Sequence, residues 1–229
     1  MDNERRDDLV LDVPDVVKLE QAIAAAGTSL ATLMRRAGIA IATTVMREQP
    51  NRSKPVAILA GSGNNGGDGW VAAEVLAQEG YPVSVVSTKQ PSELRAQPAC
   101  DAAQRALQAG GFDMLVVGAD DRCDQAVEQA CVVVDALLGT GFEGSKMRPS
   151  YAACIDAANR AHERGALVIA ADVPSGLSAQ TGQMAQPCIH ADITVTMMVK
   201  KPGLLSPAGR ECCGRVEVAD IADIAPFLP

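Results

Sequence analysis

Residues 56–60 read VAILA and run directly into Gly61-Ser62-Gly63-Asn64-Asn65-Gly66-Gly67-Asp68-Gly69. A five-residue run without one polar side chain, bounded by Pro55 and Gly61, has no face to offer to water. It describes a strand buried on both sides. Comparable runs follow at 83–87 (VSVVS), 114–117 (MLVV), 131–134 (CVVV), 167–170 (LVIA), 193–197 (ITVTM) and 215–218 (RVEV). Helical stretches separate several of them, at 70–80, at 92–109 with Pro98 near the start, and at 150–164. Strands of this kind alternating with helices predict an α/β chain, a three-layer α/β/α sandwich around a mostly parallel sheet. Two further helices are expected ahead of it, over 15–26 and from Ser29 to Glu48, the second capped by Thr28 or Ser29. One domain spanning 1–229 accounts for the whole pattern, with residues 1–12 a flexible tail.

Composition narrows the partners. The chain carries 28 acidic and 20 basic residues, a net charge of −8. A nucleic-acid surface needs clustered Lys and Arg, so that class is excluded. A small anion is not, because backbone N–H groups can hold it without net positive charge. The seven cysteines include no CxxC pair, and only His162 and His190 could complete a zinc site. They read as thiols in a reducing cytosol. The start, MDNERRDDLV, has no apolar core of a signal peptide, and no apolar run approaches the roughly 20 residues of a membrane span. A soluble, cytoplasmic protein is expected.

In parallel sheets ligands bind beyond the carboxyl ends of the strands. Three segments there are unusual. Residues 61–66 match GxGxxG, yet the second strand ends Val86-Ser87-Thr88-Lys89, without the acid that a dinucleotide site places on the ribose. The glycines with Asn64, Asn65 and Asp68 can form an anion nest at a helix start, or a tight turn with Asp68 as cap; a run of nine favours the ligand loop. Asp135 ends CVVVD before Ala136-Leu137-Leu138-Gly139-Thr140-Gly141-Phe142-Glu143-Gly144. A carboxylate there is costly unless paired or ligated, and a turn cap and a functional role stand equal. Asp172-Val173-Pro174-Ser175-Gly176 again puts an Asp after a strand. Pro174 before Ser175 breaks the GxSxG elbow, so Ser175 reads as a ligand, not a nucleophile. Oxygen groups from three strand ends could enclose a hard cation. Lys201 could face a phosphate or the reacting group, or be solvated. Trp70 and Phe142 either stack on a ring or pack in the core.

Together, Gly63-Asn64-Asn65-Gly66-Gly67-Asp68-Gly69, Val134 to Gly141, Asp172 to Gly176, Lys201-Pro202-Gly203 and the helix segment Leu33-Met34-Arg35-Arg36-Ala37-Gly38 resemble the YjeF N-terminal-domain family, the NAD(P)H-hydrate epimerases, over residues 15 to 221. The resemblance implies a Rossmann-like sandwich, a homodimer, and interconversion of the R and S forms of hydrated NADH or NADPH at C6 of the nicotinamide ring. It implies a functional partner, a separate ATP- or ADP-dependent dehydratase, for which a chain ending at Pro229 has no room. By motif, Asn64, Asn65, Gly66, Gly67 and Asp68 would contact the substrate. So would Gly139, Thr140, Gly141, Phe142, Glu143, Gly144 and Ser145, together with Asp172. Asn65, Asp135 and Ser175 would ligate one potassium ion. Asp172 is the candidate acid–base, with Lys201 beside it. The competing readings are a non-catalytic nucleotide-binding scaffold of this fold and an NAD-dependent dehydrogenase.

Overall fold

Strand β1 (Val56–Ala60) sends Val56, Ile58 and Ala60 to one side of a sheet and Ala57 and Leu59 to the other, and every one is buried. The same division holds in β4 (Val132–Ala136), where Val132 and Val134 face one core and Val133 the other. Each large aliphatic so placed contributes about 1.5–3 kcal/mol. The remaining strands are β2 (Val83–Ser87), β3 (Phe112–Val117), β5 (Leu167–Ala171), β6 (Ile193–Met197) and β7 (Arg215–Ala219). They form one sheet in the order β3-β2-β1-β4-β5-β6-β7, parallel at every pairing. This is a computed structural model, and it describes residues 9–94, 96–117, 121–143 and 147–228.

Helices α1 (Val13–Ala25), α2 (Leu30–Glu48), α3 (Asn64–Gln78) and α4 (Gln97–Ala109) build the core on one face. Helices α5 (Asp121–Glu128) and α6 (Pro149–Glu163) cover the other. The three-layer α/β expectation is met. The Ser29 hydroxyl accepts from Thr32 N at 3.2 Å and caps α2 as its sequence position suggests. Two short helices, α7 (Pro202–Leu205) and α8 (Pro207–Cys212), were not legible in the pattern, being too brief to show a period.

Two expectations change. Residues 9–11 are not part of a loose tail. Val10 pairs in parallel with Lys200, Leu11 N donates to Lys200 O at 3.1 Å, and Lys200 N donates to Leu9 O at 3.0 Å. The strap fixes the start of α1 beside the segment that carries Lys201. The glycine-rich stretch is not a nest either. From Asn64 onward it is the first turns of α3, and none of its glycines has a positive φ. Gly67 is there for close packing, since a Cβ would fall 2.5 Å from the Met34 sulfur of α2.

Candidate active site

The strand order reverses at the β1–β4 pair, with β2 and β3 outward from β1 and β5 to β7 outward from β4. Connections leaving the carboxyl ends there diverge and leave a crevice. It holds a cavity of about 690 Å³, a size suited to a small organic ligand.

The floor is formed by two crossing segments. Gly61 N donates to Ala136 O at 2.9 Å, and a Cβ on Gly61 would stand 1.8 Å from Leu137 O. Only a glycine lets β1 leave the sheet here. The N-cap of α3 is Gly63, which has no side chain to cap the helix. The free amides of the first turn therefore remain available to an anion, which the helix dipole also favours.

Asp135 lies within β4 and is fully buried. Its Oδ1 accepts from Ser175 Oγ at 2.6 Å and from Leu137 N at 3.2 Å, and its Oδ2 accepts from Ser175 N at 2.7 Å. Burial pushes the carboxyl up to about 6, although the bonds from Ser175 and Leu137 pull the other way. Ser175 Oγ accepts from Leu138 N at 2.9 Å, and Asn65 Nδ2 donates to Leu138 O at 2.9 Å. Asn65 and Ser175 thus meet at the backbone of Leu138, and Asp135 joins them through Ser175 and Leu137. The Asn65 amide oxygen is buried with no partner among the described residues. An orphaned buried oxygen beside a carboxylate, a hydroxyl and a carbonyl suits a cation that takes oxygen ligands.

Asp172 stands one residue past β5 with φ 65°. A left-handed non-glycine residue costs about 1–3 kcal/mol, and such strain gathers at functional sites. Its N–H donates to Val195 O at 2.8 Å, and its Oδ1 accepts from Lys201 Nζ at 2.6 Å. Lys201 also donates to Thr196 Oγ1 at 2.9 Å and Met197 O at 3.0 Å, and is 1% exposed. Its three ammonium protons are committed. The solvated alternative for Lys201 is overturned by this burial, and its three acceptors, Asp172 among them, belong to the protein itself. Asp172 Oδ2 has no donor among the described residues, and Asp172 borders the cavity.

Three titratable residues of the cavity wall were not visible in the sequence. Tyr151 of α6 hydrogen-bonds Ser62 N at 3.2 Å and Ser62 Oγ at 3.1 Å. Burial opposes ionisation of its phenol, but the bonds to Ser62 and Thr88 and the nearby Arg148 outweigh it and lower its pKa. Arg148 lies 5.8 Å over the Tyr151 ring at the exposed rim. Glu20 of α1 faces the same space. None of the three belongs to a glycine-rich or strand-end segment, the places where a sheet of this kind marks its ligand site in the sequence.

A family model described as "YjeF-related protein N-terminus" matches residues 30–203. The chain belongs to the YjeF N-terminal-domain family. The "NAD(P)H-hydrate epimerase" of Clavibacter sepedonicus is 38% identical over 221 residues, 94% of this chain and 91% of that protein. The "Bifunctional NAD(P)H-hydrate repair enzyme Nnr" of Moorella thermoacetica is 38% identical over 193 residues, covering 82% of this chain. The match spans 36% of that bifunctional relative's length. Among solved structures, yeast ynu0 has a TM-score of 0.75 at 25% identity, over 85% of this chain and 82% of its own.

Within this YjeF-family domain, Asn64, Asn65, Asp68, Gly139, Thr140, Gly141, Phe142, Asp172 and Lys201 all border the cavity. Gly66, Gly67 and Glu143 do not, and Gly144 and Ser145 lie outside the described residues. Phe142 is at the cavity, whereas Trp70 is fully buried against Phe112, with ring centroids 6.2 Å apart.

Proposed function

We propose that this chain is an NAD(P)H-hydrate epimerase, an isomerase that interconverts the R and S forms of hydrated NADH and NADPH. The relatives' names support the activity, and one structural observation carries the chemistry: a strained carboxylate, Asp172, anchored by a buried lysine and turned into a cavity at the sheet's switch point. β2 ends at Ser87 followed by Thr88 and Lys89, so the ribose acid of a dehydrogenase is missing here.

The nucleotide phosphates are assigned to the first-turn amides of α3, with Arg148 as a cation at the rim. Asn64 and Asp68 from α3 and the Gly139–Phe142 segment border the remaining space, where the ribose and the ring would lie. In the hydrated ring the nitrogen lone pair can expel the C6 hydroxyl, leaving an iminium, and water can then add to the other face. Expulsion needs a proton delivered to the leaving oxygen, and addition needs one removed from the incoming water. Asp172 is suited to exchange that proton because its Oδ2 is unpaired while Lys201 fixes its Oδ1.

Asn65, Asp135 and Ser175 are assigned to a potassium ion. When bound, that ion would supply positive charge next to the nucleotide without a basic patch. Two further assignments follow the family resemblance: a homodimer, and a separate dehydratase that consumes the product.

The direct test mixes the purified protein with one pure epimer of hydrated NADH and follows the R/S ratio by chromatography. Equilibration faster than in buffer is expected. A rate equal to the spontaneous one would sink the reading.

A further inference from the structure

Epimerisation imposes a demand that Asp172 alone does not meet. The hydroxyl leaves C6 on one face of the ring and water arrives on the other. A ring held still by its nucleotide therefore needs a proton donor on one face and an acceptor on the opposite face. A single carboxyl attached to β5 reaches one of them.

Two acidic side chains besides Asp172 border the cavity: Asp68, on the same first turns of α3 whose amides are assigned to the phosphates, and Glu20, which stands on a wall of its own. Glu20 is therefore the one placed away from both the phosphate end and Asp172. It projects from α1, with Asp172 coming from the end of β5 and Asp68 from α3. Its carboxyl accepts no hydrogen bond from the described residues, in contrast to Asp172 with its lysine. Burial raises its pKa, with Asp172 adding to the effect and Lys201 opposing it. Glu20 also borders a second, smaller recess of about 70 Å³, shared with Asn64 and Asp68, which Asp172 does not touch. A recess of this size with three polar side chains can hold a water. Glu20 stands where that recess meets the main cavity. The strap from Leu9 to Leu11 onto Lys200 ties α1 to the Lys201 segment, so the two carboxyls are held in one constellation.

Resting on the epimerase reading above, we propose that Glu20 is the second acid–base residue, serving the ring face opposite to Asp172. In one direction the Glu20 carboxylic acid protonates the departing hydroxyl. The C6–O bond breaks, water leaves, and the ring nitrogen lone pair becomes the second bond of the iminium. A water on the other face then forms the new C6–O bond, the iminium electron pair returns to nitrogen, and the Asp172 carboxylate takes the water's surplus proton. The reverse direction starts with the proton on Asp172. Between turnovers, exchange with solvent water redistributes the proton between the two carboxyls.

The test uses Glu20→Gln and Asp172→Asn with each pure epimer in ¹⁸O-labelled water, with spontaneous rates subtracted. Inversion is read by chromatography and oxygen exchange by mass. Both variants should lose inversion by about a hundredfold or more. Each should still exchange the hydroxyl oxygen of one epimer without inverting it, because its remaining carboxyl can expel and return water on its own face. The epimer that exchanges should differ between the two variants. Binding of NADPH, measured on each, should stay at the wild-type level. Glu20→Gln inverting at the wild-type rate would overturn the proposal. So would loss of exchange for both epimers, or loss of NADPH binding along with turnover, which would make Glu20 a structural residue. A wild-type protein that inverts neither epimer would instead sink the epimerase reading itself.

Discussion

Asp135 and Asp172 close neighbouring parallel strands, follow the same kind of apolar run, and have gone to opposite ends of the range of carboxylate environments. Asp135 is fully buried, and both its oxygens accept from Ser175, with Leu137 added on one. Asp172 sits on a left-handed backbone, gives one oxygen to a buried ammonium and keeps the other for the cavity. One carboxylate is bonded through both oxygens to neighbouring loops and is turned away from the cavity, toward the place assigned to the cation. The other is held half-satisfied, and that incompleteness makes it useful. The position of an acid at a strand end reports that something must stabilise it; what does so decides the role.

The same substitution at both positions should separate them most strongly. Asp172→Asn keeps an oxygen for Lys201 but removes the proton-exchanging group. Steady-state epimerisation should fall by about 10²–10⁴-fold. A loss of up to about 3–5 kcal/mol in stability should accompany it, because the buried Lys201 ammonium keeps a neutral partner but loses its counter-charge. The large fall in turnover is the mark of this position. Asp135→Asn places an amide among the Ser175 and Leu137 donors and should cost about 1–3 kcal/mol in thermal unfolding. Equal signatures from the two variants would break the distinction.

Cation removal should sharpen it. If Asn65, Asp135 and Ser175 hold potassium, exchanging it for choline lowers wild-type stability by about 2.7 kcal/mol from a starting concentration a hundredfold above Kd. Asp135→Asn should respond far less. Without the cation, pH acts on the same group. Its pKa is raised from 3.8 to about 6 in the fold, so the native state binds the extra proton between those values. Stability from Asp135 is therefore full below pH 4 and falls as pH rises through 6, by about 3 kcal/mol in all. Chemical denaturation at pH 4 and pH 7, wild type against Asp135→Asn, checks the sign.

Gly61 adds a structural handle on the pair. An alanine there drives Cβ into Leu137 O, since the ideal position is 1.8 Å away. Overpacking of this kind costs about 1–3 kcal/mol. Leu137 donates to Asp135, and no bond joins it to Asp172. Gly61→Ala should therefore reduce unfolding stability and potassium response more than it reduces turnover.

The sheet was legible because its central strands β1 and β5, VAILA and LVIAA, are apolar on both faces, a pattern with few other homes. The glycine run was legible as special but not as a helix. Its residues are poor helix formers in isolation, and close packing onto elements distant in sequence, as of Gly67 on Met34 and Ala99 and of Gly69 on Ala136, makes a helix the better answer. Asn65, Asp135, Ser175 and Asp172 announce themselves because polar groups at strand ends need partners. Glu20 does not. It sits in an ordinary amphipathic helix of a segment that looked like an appendage, and its position at the cavity depends on the Val10–Lys200 bridge, which no local pattern encodes. Lys201 was visible as a nearby charge, but its commitment to Thr196, Met197 and Asp172 is a matter of three-dimensional packing.

The smallest expected effect probes that commitment. Thr196 Oγ1 accepts from Lys201 at 2.9 Å and lies 3.4 Å from Asp172 Oδ1, so one hydroxyl braces both partners of the ion pair. Thr196→Val keeps the side-chain shape on β6 and removes only that brace. The buried ammonium then loses one of three acceptors while its bonds to Asp172 and Met197 O remain. A loss of about 1 kcal/mol is expected, toward the low end for a buried donor left unmet. If that loss falls on how firmly Asp172 is aimed, kcat drops about fivefold and KM stays unchanged. A change in KM with kcat intact would mean that Lys201 and Thr196 serve substrate binding directly, and the assignment of Lys201 as the residue that positions Asp172 would fail. No comparable result is expected at the other strand end, where the Asp135 network has no ammonium among the described residues to misplace.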